Sequence, residues 1–101
     1  MGKTAQEIIN DIESHFKNLV RTKNFSDLYI GITNDIERRL FSEHNVPKQN
    51  HWFITRVAVN NEHARSVEKY YLDKGMKGGG GGGDYTAKYI YCYEIANFTN
   101  E

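Results

Sequence analysis

One cysteine, one proline and no surplus of charge leave several classes of protein without material in these 101 residues. The lone Cys92 excludes an internal disulfide and a cysteine-based metal cluster, and in an alternating strand it reads as a packed thiol. Thirteen Lys and Arg against thirteen Asp and Glu exclude the broad basic field of a domain that holds nucleic acid by charge alone. No apolar run approaches the roughly 18 residues of a membrane span. The first residues read as a helix with Asp and Glu rather than a basic-apolar leader, so no membrane partner and a cytoplasmic location are expected. His15, His44, His51 and His63 lack close metal-ligand spacing, and most are expected at the surface. The glycine run 78–83 is not followed by Gly-Lys-Ser/Thr, which excludes a Walker loop. It is expected as a flexible loop, with anion cradling by its amides as the alternative.

What is present reads as helix, strand, helix, strand, helix, strand. Thr4-x-x-Glu7 is a capping-box signature ahead of Ala5, Ile8, Ile9, Ile12, Phe16, Leu19 and Val20 at helical spacing, which predicts an amphipathic helix over 4–22. Leu28, Ile30 and Ile32 alternate with Tyr29, Gly31 and Thr33, the period of a strand. Gly31 weakens that strand, which is tolerated where something approaches the backbone closely: a substrate or a packed helix. Asn34-x-x-Glu37 reads as the start of a short helix, on which Arg39 shares the Ile36 and Leu40 stripe while Arg38 points to solvent. An inward guanidinium needs an anion, either a carboxylate or a phosphate. Residues 52–59 read as a second strand. Residues 61–74 read as a helix stopped by Gly75, burying Ala64, Val67, Tyr71 and, within the same stripe, Glu68. Residues 89–95 alternate again, with Tyr89, Tyr91 and Tyr93 on one face. The expected fold is one α+β domain over 1–101, a small mostly antiparallel sheet of about three strands with helices packed on it.

Tyr29-Ile30-Gly31, an arginine ten residues after that tyrosine and an inward glutamate on a later helix resemble the GIY-YIG nuclease family, from about Leu28 to Tyr93. The resemblance implies a GIY-YIG-like fold and an endonuclease-like phosphodiesterase acting on nucleic acid, DNA in the first place. It also implies Tyr29 as the YIG tyrosine, Arg39 as the phosphate contact and Glu68 as ligand of one divalent metal, Mg²⁺ or Mn²⁺. Two departures stand out. The family's Gly-Ile-Tyr strand, some ten residues upstream, has no counterpart here, and the strand at 89–95 is expected beside Leu28–Thr33 in its place, with Tyr91 supplying the missing hydroxyl. The family's histidine or tyrosine four positions after the arginine falls on Glu43, with His44 one further on.

Chemically, a phenol near cations is lowered in pKa enough to take a proton from water, while an arginine binds nonbridging oxygens. Arg56, Lys74, Lys77 and Lys88, with Arg65, are candidates for a local nucleic-acid patch; the bland alternative is charge scattered over solvated faces. Likewise Arg39 and Glu68 could form a structural ion pair, and Tyr29 could be an ordinary strand tyrosine. The second functional reading is a noncatalytic relative that binds nucleic acid, a nucleotide or a partner protein. Its apolar first helix is then a candidate seam for a homodimer.

Overall fold

The computed structural model describes residues 2–17, 24–78 and 86–101. The capping box forms as the sequence predicts: Thr4 N donates to Glu7 Oε1 at 2.9 Å, and Glu7 N donates to Thr4 Oγ1 at 3.2 Å. It opens α1, Ala5–Lys17; the expected continuation over 18–22 lies outside the described residues, as does most of the glycine run. Ile8 and Ile12 are fully buried in the chain's own core, while Ala5, Ile9 and Phe16 of the same helix are partly buried against it. Burying Ile8 or Ile12 contributes about 1.5–3 kcal/mol.

A 3₁₀ turn, Phe25–Asp27, leads into β1, Leu28–Thr33. A π-helix follows at Glu37–Glu43, then β2, Phe53–Val57, α2, Asn61–Lys74, and β3, Tyr89–Glu94. The three strands form an antiparallel sheet in the order β1-β3-β2, so the last strand is the central one. Both observed strands in the second half are shorter than the sequence pattern, although single backbone bonds carry the pairing one step further, from Ala58 N to Lys88 O and from Ile95 N to Asp27 O.

Period-2 alternation then sorts the side chains into two layers. Leu28, Ile30, Ile32, Ile54, Ile90 and Cys92 face α1 and α2, where Ile8, Ile12, Ala64, Val67 and Tyr71 complete the larger core. Tyr29, Tyr91 and Tyr93 face the other way and pack with Leu40 and Val46. The outer edge of β1 is covered by Lys77, which accepts from Ile30 N and donates to Leu28 O, each at 2.9 Å. The outer edge of β2 is continued by Lys3 through bonds of 2.8 and 2.9 Å to Val57 and Val59. Covered edges keep so small a sheet from pairing with other chains.

The expected cap at Asn34 is replaced by one at Asp35, whose Oδ1 accepts from Arg38 N at 3.1 Å while its own N–H donates to Thr33 Oγ1 at 3.0 Å. The expectation for α2 holds. Asn60 caps it through His63 N, Gly75 ends it at φ 111°, and Ala64, Val67, Glu68 and Tyr71 form its buried face. Among the described residues no helix is long and apolar enough to cross a membrane.

Candidate active site

The register of the sheet sets Gly31 of β1 directly opposite Tyr91 of β3. A Cβ on Gly31 would overlap the Tyr91 phenol, so the glycine is there to let that ring lie across β1. The close approach comes from a partner strand, neither from a substrate nor from a helix. Tyr29 and Tyr93 flank it, and the three rings lie nearly parallel, with centroids 5.2 Å (Tyr29–Tyr93), 6.3 Å (Tyr29–Tyr91) and 6.5 Å (Tyr91–Tyr93) apart.

His44 closes this layer from the far side, its ring 4.7 Å from Tyr29, 5.4 Å from Tyr91 and 5.1 Å from Tyr93. Among histidines expected mostly at the surface, His44 is the buried one. The π-helix is the reason. His44 N bonds Arg39 O at 2.9 Å, five residues back rather than four, so the turn holds one extra residue and returns His44 to the face of Arg39. In an α-turn Glu43 would stand there. The sequence carried a signal for this, a histidine one place beyond the expected position, but nothing in it announces a π-turn.

Arg39 and Arg38 divide as their helical phase predicts, with side chains 34% and 64% exposed. Arg39 Nε donates to Tyr91 Oη at 3.4 Å and its Nη1 lies 3.1 Å from Glu43 Oε1. Arg39 therefore pairs with Glu43, while Glu68 meets Arg65 at 3.6 Å; the suggested Arg39–Glu68 bridge is not the pairing observed. Tyr91 Oη is also 2.8 Å from His44 Nε2, and His44 Nδ1 is 2.5 Å from the Asn100 carbonyl. Tyr93 Oη lies 3.0 Å from that Nδ1. Tyr93 and Asn100 are further members of the cluster that sequence reasoning did not single out.

Electrostatics separates the roles. Burial pushes the Tyr91 phenol up to about 12, against the opposing pull of the Arg39 hydrogen bond, so it stands as a neutral hydroxyl rather than the lowered phenol expected. Burial lowers the His44 imidazole below its ordinary value and keeps it neutral, with a free base function. The hydrogen bond to Tyr91 raises Arg39 further, which fixes its positive charge. Burial raises the Glu68 carboxyl, and the charge of Glu68 is felt at Tyr91.

A carboxylate only 4% exposed and raised by burial fits a divalent cation, whose charge would relieve the cost of keeping it ionised. Among the described residues no group of three or more His, Cys, Asp and Glu converges, and Glu68 is the residue that would hold such a cation. Magnesium is commonly held that way, by one or two carboxylates with water and substrate phosphate completing the shell.

The proposed basic patch is spread over the sheet. Arg56 donates to Asp11 Oδ2 and to Thr55 O at 2.8 Å, and Lys88 accepts from Ala58 N at the Tyr89 end of β3. Lys77 is bonded to β1 beside Tyr29, at the opposite end, and Lys74 Nζ rests 5.1 Å from the Tyr70 ring centroid.

Residues 18–78, more than half of the chain, match the GIY-YIG catalytic domain. No curated protein and no solved structure matches. The matched segment carries β1, the π-helix, β2 and α2; β3, with Tyr91, lies beyond it.

Proposed function

The chain belongs to the GIY-YIG family, and from that premise we propose that it is a metal-dependent phosphodiesterase that cleaves nucleic acid, DNA in the first place. One observation carries the reading: the hydrogen-bonded line from Arg39 through Tyr91 to His44. A neutral phenol with a charged donor on its oxygen and a neutral imidazole beyond its proton is a two-step base. As water attacks phosphorus, Tyr91 Oη takes the water proton while its own proton passes to His44 Nε2. Arg39 stabilises the oxygen during that exchange and offers its remaining N–H groups to the nonbridging phosphate oxygens. Tyr29, stacked against Tyr91, positions the phosphate beside them. Glu68 would hold Mg²⁺ or Mn²⁺, which when bound neutralises charge on the leaving oxygen.

Incubating the protein with supercoiled plasmid and Mg²⁺ or Mn²⁺ tests this directly. Nicking is expected from the intact protein and not from Glu68→Ala or in EDTA. Nicking that persists in the variant marks a contaminant and removes the reading.

One contact favours the second reading, a noncatalytic nucleic-acid-binding relative. Glu43 already occupies the Arg39 guanidinium and competes with a phosphate for it. Calorimetric titration separates the two: absence of Mg²⁺ and Mn²⁺ binding at millimolar concentration leaves binding without cleavage.

A further inference from the structure

The segment after β3 does more than end the sheet, because it reaches back to the residue on which the proton relay depends. Asn100 N donates to His44 O at 2.8 Å, and Asn100 O lies 2.5 Å from His44 Nδ1. Beside it, one residue after His44 and two before Asn100, Asn45 Nδ2 donates to Phe98 O at 2.9 Å, with Asn45 held at φ 58°. The approach is shaped by a tight turn in which Thr99 N and Thr99 Oγ1 donate to Ala96 O and Ala96 N donates to Thr99 Oγ1. Residues 98–100 and 44–45 thus hold each other by backbone and side chain together.

The chemistry of that contact fixes a direction. A carbonyl oxygen only accepts, so the neutral His44 ring must carry its proton on Nδ1 to meet Asn100 O. Tyr93 agrees with this: its hydroxyl lies 3.3 Å from Asn100 O, to which it donates, leaving its oxygen toward Nδ1–H at 3.0 Å. With Nδ1 protonated, Nε2 has only a lone pair to offer. Tyr91 Oη, 2.8 Å away, must then be the donor. The opposite tautomer would place an N–H against a phenol oxygen that already receives Arg39 Nε, and Tyr91 could pass its proton nowhere.

We propose that the backbone of Asn100 is a positioning element for the relay: its carbonyl sets the His44 tautomer, and through it the direction in which the Tyr91 proton moves. This rests on the nuclease reading for its effect on rate, but not for its effect on the histidine. The test uses the 101-residue chain, its Asn100→Ala variant, which keeps both backbone contacts, and a chain ending at Asn97, which removes the clamp. Long-range ¹H–¹⁵N correlation of the imidazoles at pH 8 reads the tautomer without any substrate.

The expected result is an Nδ1–H ring for His44 in the intact protein and in Asn100→Ala, and a mixture of tautomers in the shortened chain. Plasmid nicking should fall at least about tenfold in kcat on shortening, with KM little changed, since a misdirected proton carrier forfeits part of a roughly 10²–10⁴-fold contribution. An Nε2–H ring in the intact protein overturns the proposal, whether or not the shortened chain folds. So does a shortened chain that retains the Nδ1–H ring and the full rate. Absence of nicking in every variant, with the tautomer as expected, sinks the nuclease reading and leaves the clamp standing.

Discussion

At Glu68, the proposed metal ligand, a single buried charge would tie stability to the proposed function. Its carboxyl is raised above the ordinary value of 4.5 because burial favours the protonated form. A carboxyl whose folded pKa exceeds its unfolded one binds more protons in the native state, so its contribution to stability grows as pH falls through the raised pKa and is lost as pH rises. At neutral pH the ionised group is therefore a cost. Glu68→Gln should raise Tm, by on the order of 1 kcal/mol or about 4–8 °C in a domain of this size, and abolish divalent-dependent nicking. A lower Tm measured calorimetrically at pH 7.5 would place Glu68 in a structural bond instead. Gly31 makes the converse point. Gly31→Ala forces the Tyr91 ring off β1 and should cost about 1–3 kcal/mol as an overpacked core does, with nicking lost. Tyr91→Phe keeps the ring, and should lose nicking while melting close to the parent. Equal melting for Gly31→Ala and the parent in a denaturant titration would show that the ring has room to move.

Among the elements, the turn from Glu37 to Glu43 shows where pattern reading stops. Helical phase distinguishes Arg39 from Arg38 and brings Glu68 into the buried stripe of α2, because both depend only on the angle between neighbours on one helix. His44 escapes the same arithmetic, since a π-turn adds a residue that no periodicity encodes, and its benefit appears only through the tyrosines contributed by another strand. The alternation of β3 is legible, and so is its place beside β1. Its position between β1 and β2 is not, because sheet order follows from which edges are left to pair after the helices have packed. Removing the extra residue tests the account. Deleting exposed Ser42 should convert the π-turn to an α-turn, set the histidine four places after Arg39, and retain nicking at a comparable rate. His44→Ala should lose roughly 10²–10⁴-fold. If deletion of Ser42 proves as damaging as loss of the imidazole in a single-turnover assay, the extra residue does something beyond restoring phase.

Over the whole molecule, charge sets what kind of binder this fold makes. Thirteen positive and thirteen negative side chains leave no net field, and the ion pairs show that the balance is also local. Arg38 and Arg39 meet Glu43 at 3.4 and 3.1 Å, Lys3 and Arg56 meet Asp11 at 3.3 and 2.8 Å, and Lys48 meets Glu37 at 3.0 Å. Cations held this way release few counterions from DNA, because each must first leave its carboxylate. Salt dependence reports that number, with log K falling by about 0.9 per phosphate neutralised for each tenfold rise in salt. If Arg39 and one further cation reach phosphate, the slope for the Glu68→Gln variant on a short duplex should lie between about −1 and −2. Fluorescence anisotropy in EDTA, from low to physiological salt, gives the slope without cleavage. Glu43→Gln frees Arg39 from its competitor, and should tighten binding while leaving the slope within about one unit of the parent value. A slope of about −5 or steeper would mean that a basic surface forms only on DNA, drawing in Lys74, Lys77 and Lys88 from the places they occupy around the sheet, and the proposal of a weakly held substrate fixed by a few contacts at Arg39 would have to be abandoned.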